Sequence, residues 1–223
     1  MKKPLLIVVF VLLADQCLKF WIKTNMFLGE EYHIMGNWFI IHFTENNGMA
    51  FGMELQGNYG KLLLSSFRIV AVFVIGWYLF DLVRKKAPKG LIISIALIFA
   101  GAIGNIIDSV FYGLLFSDSN YEVSKFLPAE GGYAGVLHGK VVDMLYFPMI
   151  EGHFPAWFPF WGTEEFIFFR PVFNLADSSI TVGVLLIILF QKKYWPENKK
   201  EEPSATDETI LPSLSIAHND IKV

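Results

Sequence analysis

Four apolar stretches, at 5–22, 62–83, 91–111 and 172–190, limit what this chain can fold into more than any other feature. Each is close to the roughly 20 residues that an α-helix needs to cross about 30 Å of hydrocarbon. A single run of this kind could be a buried helix of a soluble protein, but four runs in 223 residues leave too little polar chain to cover them. The balance agrees: 54% of the residues are hydrophobic and only 17% charged, against about a quarter charged in soluble domains. The reading is a membrane all-α fold, a four-transmembrane-helix bundle. The formal net charge of −3 is too small, and the basic clusters too scattered, to suggest nucleic acid as a partner. Cys17 is the only cysteine, which excludes an internal disulfide and any multi-cysteine metal site.

Orientation follows from the lysines and arginines of the short segments. Lys2 and Lys3 precede the first span, Arg84, Lys85, Lys86 and Lys89 join the second to the third, and Lys192 and Lys193 follow the fourth. All fall on one side, so both termini are expected in the cytosol of a bacterial inner-membrane protein, with the long loops 24–60 and 112–171 outside. Residues 5–22 could instead be read as a cleaved signal peptide ahead of Cys17. Asp15 and Gln16, however, occupy positions where a cleavage site wants small residues, and a retained helix is expected. Residues 1–195 then form the membrane domain, and the polar stretch 196–223 a disordered cytosolic tail.

The outer loops carry strand signals. Residues 32–43 are rich in aromatic and β-branched types and are followed by Glu45-Asn46-Asn47-Gly48, a turn signature; 139–147 reads likewise. A small extracytoplasmic β-sheet on the outer surface of the bundle is predicted. The aromatic, proline-rich stretch 148–171 either rests among lipid headgroups or packs on that sheet.

Asp15, Asp108, Asp143 and Asp177 carry the chemistry. A carboxylate in hydrocarbon costs at least about 2.5 kcal/mol, so each needs a partner or a purpose. Counted along their helices, Asp15, Asp108 and Asp177 converge on one depth near the outer face, and the apolar run around Asp143 can dip to the same level. Two carboxylates sharing a site cannot both ionise easily, so one keeps its proton. Such a pair can activate water with the anion while the acid protonates a scissile carbonyl oxygen. Gly-x-Ser-x-Gly, His-Glu-x-x-His, Ser-x-x-Lys and Gly-x-Gly-Asp patterns are absent from the sequence. His33, His42, His138 and His153 are scattered over the outer loops, and neither metal nor cofactor is expected.

Five motifs in order resemble those of the lipoprotein signal peptidases, the type II signal peptidases. They are Asp15-Gln16-x-x-Lys19, Asn46-x-Gly48-x-Ala50-Phe51, Gly104-Asn105-x-x-Asp108, Val141-Val142-Asp143 and Phe173-Asn174-x-Ala176-Asp177. The resemblance implies an aspartyl endopeptidase with Asp143 and Asp177 as the catalytic pair. It implies that Asp15, Lys19, Asn46, Gly48, Asn105, Asp108 and Asn174 line or support the site. For Asp15, Asn105 and Asp108, hydrogen bonding between helices is an equally open role. The implied substrates are lipidated prolipoproteins, cut on the amino side of the diacylglyceryl-modified cysteine near the outer face. Membrane phospholipid is the other partner, and a monomer is implied. The chain departs from the family in carrying Ser109 where an arginine commonly follows the third-helix aspartate, and in extra residues at 117–135 and 148–171. Two other classes compete: a transporter or channel using the acids as an ion path, which would want them spread through the bilayer, and a scaffold, which leaves their cost unexplained.

Overall fold

In the computed structural model, residues 2–47, 58–148, 150–153, 157, 165–168 and 171–195 are described. Helix α1 runs over Lys2–Asn25, α2 over Asn58–Arg84 and α3 over Lys89–Ile107. A π-helical turn, Asp108–Tyr112, and the short α4, Gly113–Leu115, prolong α3. The last helix, α5, spans Leu175–Tyr194. Among the described residues, four helices are long and apolar enough to cross a membrane, as the sequence led one to expect. Their outward side chains are bulky and bare: Phe10, Phe67, Phe73, Trp77 and Leu189 are each about 70% exposed, which suits lipid and would be untenable in water.

The fourth helix starts later than residue 172. Val172–Phe173 forms strand β6, pairing with β3 through Phe173 opposite Leu145 and Val172 opposite Tyr146. Asn174 then caps α5, so the helix begins only at Leu175. Strands β1 (Glu31–Met35), β2 (Phe39–Asn46), β3 (Val141–Tyr146) and β6 make a sheet in the order β1-β2-β3-β6, with every pairing antiparallel. A second ribbon pairs β4 (Ile150–His153) with β5 (Glu165–Phe168), inside the stretch 148–171. The sequence region 196–223 lies outside the described residues.

Two apolar clusters sandwich a polar layer. Near the lysine-rich end, Val8, Leu79, Leu82, Leu91, Ile95 and Tyr194 pack together. Under the sheet, Ile22, Met26, Phe43, Phe116, Val142 and Met144 form the other core. Because Val8 belongs to the first and Ile22 to the second, the stretch of α1 between them, with Asp15 and Lys19, runs at the level between the cores.

Helices α3 and α5 approach closely there because small residues meet at the seam. A side chain at Gly101 would strike the Ala176 carbonyl oxygen at 2.2 Å. One at Gly104 would meet Asp15 Oδ2 at 2.8 Å and Ala176 Cβ at 3.1 Å. Glycine at 104 thus admits both the Asp15 carboxylate and the first turn of α5. The π-helical turn has its own consequence, since widening a helix frees carbonyls from the i→i−4 ladder. Ser109 O accepts from Gly139 N at 2.9 Å, which docks the chain entering β3 against α3.

Candidate active site

Lys19 sits at the middle of the polar layer, fully buried with no exposed surface. Its Nζ lies 3.0 Å from Asp15 Oδ2, one turn earlier on α1, and 2.7 Å from Asp108 Oδ2 on the π-helical turn. It also donates to Asn105 Oδ1 at 3.1 Å. One ammonium between two carboxylates with a neutral amide acceptor satisfies all three donors, which makes a buried cation tolerable.

The two flanking acids turn their remaining acceptor capacity onto backbone. Asp15 Oδ1 accepts from Ala176 N at 2.9 Å, and Asp108 Oδ2 accepts from Val142 N at 3.2 Å. Ala176 immediately precedes Asp177, and Val142 immediately precedes Asp143. Asp15 and Asp108 therefore hold the two chain segments that present the other two aspartates. Gln16 ties the group together, donating to Asp15 Oδ2 (3.1 Å), Asp108 Oδ1 (3.0 Å) and Gly104 O (3.2 Å), while Tyr112 donates to its Oε1 at 3.2 Å.

Asp143 and Asp177 are linked through two amides. As the N-cap of α5, Asn174 accepts from Asp177 N at 2.9 Å, and Asp177 Oδ2 accepts in return from Asn174 N at 3.4 Å, a capping box. Asn174 Nδ2 donates to Asp143 Oδ1 at 2.7 Å, and reaches Asn105 Oδ1 at 3.1 Å and Val142 O at 3.3 Å. Asn105 Nδ2 donates to Asp177 Oδ1 at 2.7 Å. The amides orient both carboxylates without adding charge.

Asp143 comes from β3, where it pairs with Thr44 of β2, and is 3% exposed. Burial, reinforced by the nearby Asp177 charge, pushes its pKa up to about 7. Hydrogen bonds from Asn174 and Asn46 and the Lys19 charge pull the other way. Near neutral pH this carboxyl is poised between acid and anion.

All the singled-out residues described by the structure meet in this lattice: Asp15, Lys19, Asn46, Asn105, Asp108, Asp143, Asn174 and Asp177. Gly48 lies outside the described residues, as do Ala50 and Phe51 of the same motif. Ser109, which stands where an arginine was expected, bonds its hydroxyl to Asn105 O at 3.0 Å.

Four charged groups near the site, Arg68, Glu45, Lys23 and Lys140, were not singled out as site residues from the sequence. Arg68 of α2 is half-buried, and its charge acts first on Asp177, then on Asp143 and Asp108. Glu45, beside Asn46, takes Lys23 on one oxygen at 2.7 Å and Lys140 on the other at 2.9 Å. Burial works to raise the pKa of Glu45, but the two lysines outweigh it and hold the carboxyl below its ordinary value. Lys23 also donates to Ser119 Oγ at 2.6 Å and lies over the Tyr133 ring at 5.1 Å. The extra segment 117–135 thereby closes over Lys23 and Glu45. A lysine spaced four residues after Lys19 was the available signal for Lys23; no local pattern marks Arg68.

Four apolar helices under an antiparallel sheet, with a carboxylate lattice buried between them, define a polytopic membrane protein of the enzyme type. Two bacterial membrane enzyme structures determined by the in meso method share the fold, with TM-scores of 0.57 and 0.56 and 29% identity each. They cover 91% and 86% of this chain and 94% of their own. The family model for signal peptidase II matches residues 7–192. A lipoprotein signal peptidase of Porphyromonas gingivalis is 48% identical over 211 residues, 93% of this chain and 92% of that protein. One from Amoebophilus asiaticus is 36% identical over 210 residues, 92% and 85% of the two chains. The chain belongs to the signal peptidase II family.

Proposed function

We propose that this peptidase is an aspartyl endopeptidase that removes signal peptides from bacterial prolipoproteins, cutting on the amino side of the diacylglyceryl-modified cysteine. One observation carries the reading: Asp143 and Asp177, from a strand and a helix, share the Asn105–Asn174 amide pair, and Asp143 is pushed up to about 7.

In this reading Asp143 holds a proton and Asp177 acts as base. A water between them gives a proton to Asp177 as its oxygen attacks the scissile carbonyl, while Asp143 protonates the carbonyl oxygen. The resulting gem-diol collapses: the C–N bond breaks, Asp177 passes its proton to the leaving cysteine nitrogen, and a diol hydroxyl returns one to Asp143. Both carboxyls end as they began, and no covalent intermediate or cofactor is required. Asn105 and Asn174 keep the acids aimed throughout. A site between helices lets acyl chains stay in lipid while the peptide reaches the pair.

The lysines and Arg84 at the end remote from the sheet support a cytosolic location for both termini, with the active site near the outer face of the inner membrane. A transporter reading fares worse, because the acids are hydrogen-bonded into one level rather than strung through the bilayer. The test is purified protein in detergent with a lipidated prolipoprotein. Wild type cleaves; Asp143→Asn and Asp177→Asn each abolish cleavage while remaining folded. Near-normal turnover by either variant sinks the mechanism.

A further inference from the structure

A cavity of about 740 Å³ opens at the end of the bundle opposite the sheet, where α1, α2 and α3 meet. That volume falls within the roughly 300–1,000 Å³ of small-molecule pockets. Lys2, Lys3, Lys86 and Lys89 line it, and Leu6, Val83 and Ile92 are among its apolar walls.

Among the described residues the charges here are uncompensated. Helices α1 and α3 both begin at this end, with no acid in either first turn, so positive dipole ends and lysines reinforce one another. The one acid of α2, Asp81, is taken by Lys85 at 2.7 Å. Among the described residues none of the four cavity lysines has a carboxylate within ion-pair distance.

Lys86 adds a second observation. Its N–H donates to Val83 O at 3.2 Å and the N–H of Ala87 to Leu82 O at 3.0 Å, the Schellman pattern that ends α2. Lys86 holds the left-handed position of that motif, at φ 54°, where glycine is unstrained. Glycine there would relieve the strain but take one positive charge from the cavity.

We infer that this cavity is a binding site for an anionic phospholipid: the lysines hold the phosphate of the headgroup, and the apolar walls take the upper acyl chains. Basic pockets between spanning helices suit such headgroups. Charge complementarity favours this occupant, and the apolar walls favour a lipid over a free anion. The proposed orientation serves only to name the leaflet, the cytosolic one; lipid retention in detergent is independent of it, and of the aspartate mechanism.

The experiment is native mass spectrometry of lipid-depleted protein given dioleoyl phosphatidylglycerol or dioleoyl phosphatidylcholine. Wild type retains the anionic lipid preferentially. Each lysine contributes about fivefold, so Lys86→Gly combined with Lys89→Gln lowers retention by about an order of magnitude or more. Lys86→Gly alone weakens retention without lowering the melting temperature in lipid-free detergent, because it relieves the left-handed strain; a lysine serving only the fold would not separate the two readouts. Equal retention of the zwitterionic lipid, or undiminished retention by the double variant, overturns the inference. Displacement of the lipid by millimolar inorganic phosphate would make this a free-anion site instead. Retention seen only after residues 196–223 are removed would make the acidic tail the occupant. Either result overturns the lipid assignment.

Discussion

Replacing Asp143 by asparagine should inactivate the enzyme and stabilise it, and the stabilisation should depend on pH. The carboxyl rises from its ordinary 3.8 to about 7 on folding, first through burial and second through the Asp177 charge. Three pH units at about 1.4 kcal/mol each amount to about 4 kcal/mol that the folded state loses when Asp143 ionises. The sign follows from proton binding. Below pH 3.8 both folded and unfolded chains are protonated at this site and nothing is lost. Between 3.8 and about 7 the folded chain holds a proton that the unfolded chain has released, so stability falls as pH rises; above 7 the loss is complete. Asparagine carries no charge and keeps an oxygen to accept from Asn174. At about 2–4 °C per kcal/mol for a chain of this size, Asp143→Asn should melt about 8–16 °C higher than wild type at pH 8.5. At pH 4.5 the gap should shrink to about a quarter of that. Thermal scans by intrinsic fluorescence in one detergent, at the two pH values, provide the measurement. A gap of the same size at both pH values, or none at pH 8.5, would refute the account of Asp143 as a carboxyl held in an unfavourable setting.

Lys19→Met leaves Asp15 and Asp108 facing each other without their shared cation, and breaking a buried ion pair from one side costs about 3–5 kcal/mol; the variant should be lost from the membrane or melt far below wild type, and a normal melting curve would contradict the arrangement. Asn46→Ala removes a hydrogen bond that favours the Asp143 anion, so the alkaline limb of the pH–rate profile should move up by about one pH unit, and a limb that stays put would dissociate Asn46 from the dyad. Lys23→Met strips Glu45 of its shorter ion pair and loosens segment 117–135, which should show as faster backbone hydrogen exchange at Leu28, whose N–H donates to Ser119 O; unchanged exchange there would contradict the coupling.

The spans were plain in the sequence because hydrocarbon accepts only long apolar helices, and the paired acids stood out because lipid penalises them. The Asp15–Lys19 contact was legible as an i, i+4 pair. What could not be read locally was the company these residues keep. Lys19 and Asp108 are 89 positions apart, so only packing at Gly101 and Gly104 brings them together. Asp15 and Asp108 show both kinds of contact: each accepts from the amide just before an acid of the pair, and the Lys19–Asp108 pair also joins α1 to the turn after α3. The start of α5 was read three residues early because Val172–Phe173 is as apolar as the helix it precedes, and only its pairing with β3 marks it as strand. Arg68 belongs to no local pattern at all, and Glu45 showed only as part of a turn signature, not as a partner for two lysines.

The contact between Asp15 and the Ala176 amide joins residues 161 apart in the chain. Synthesis delivers α1 to the bilayer long before α5 exists, so a growing chain carries Asp15 without its last hydrogen bond, and Asp177 has yet to be made. Under the proposed mechanism a half-built copy therefore lacks one of its two acids. The burial of its most costly groups and the meeting of the proposed pair are completed together, by the final helix to arrive.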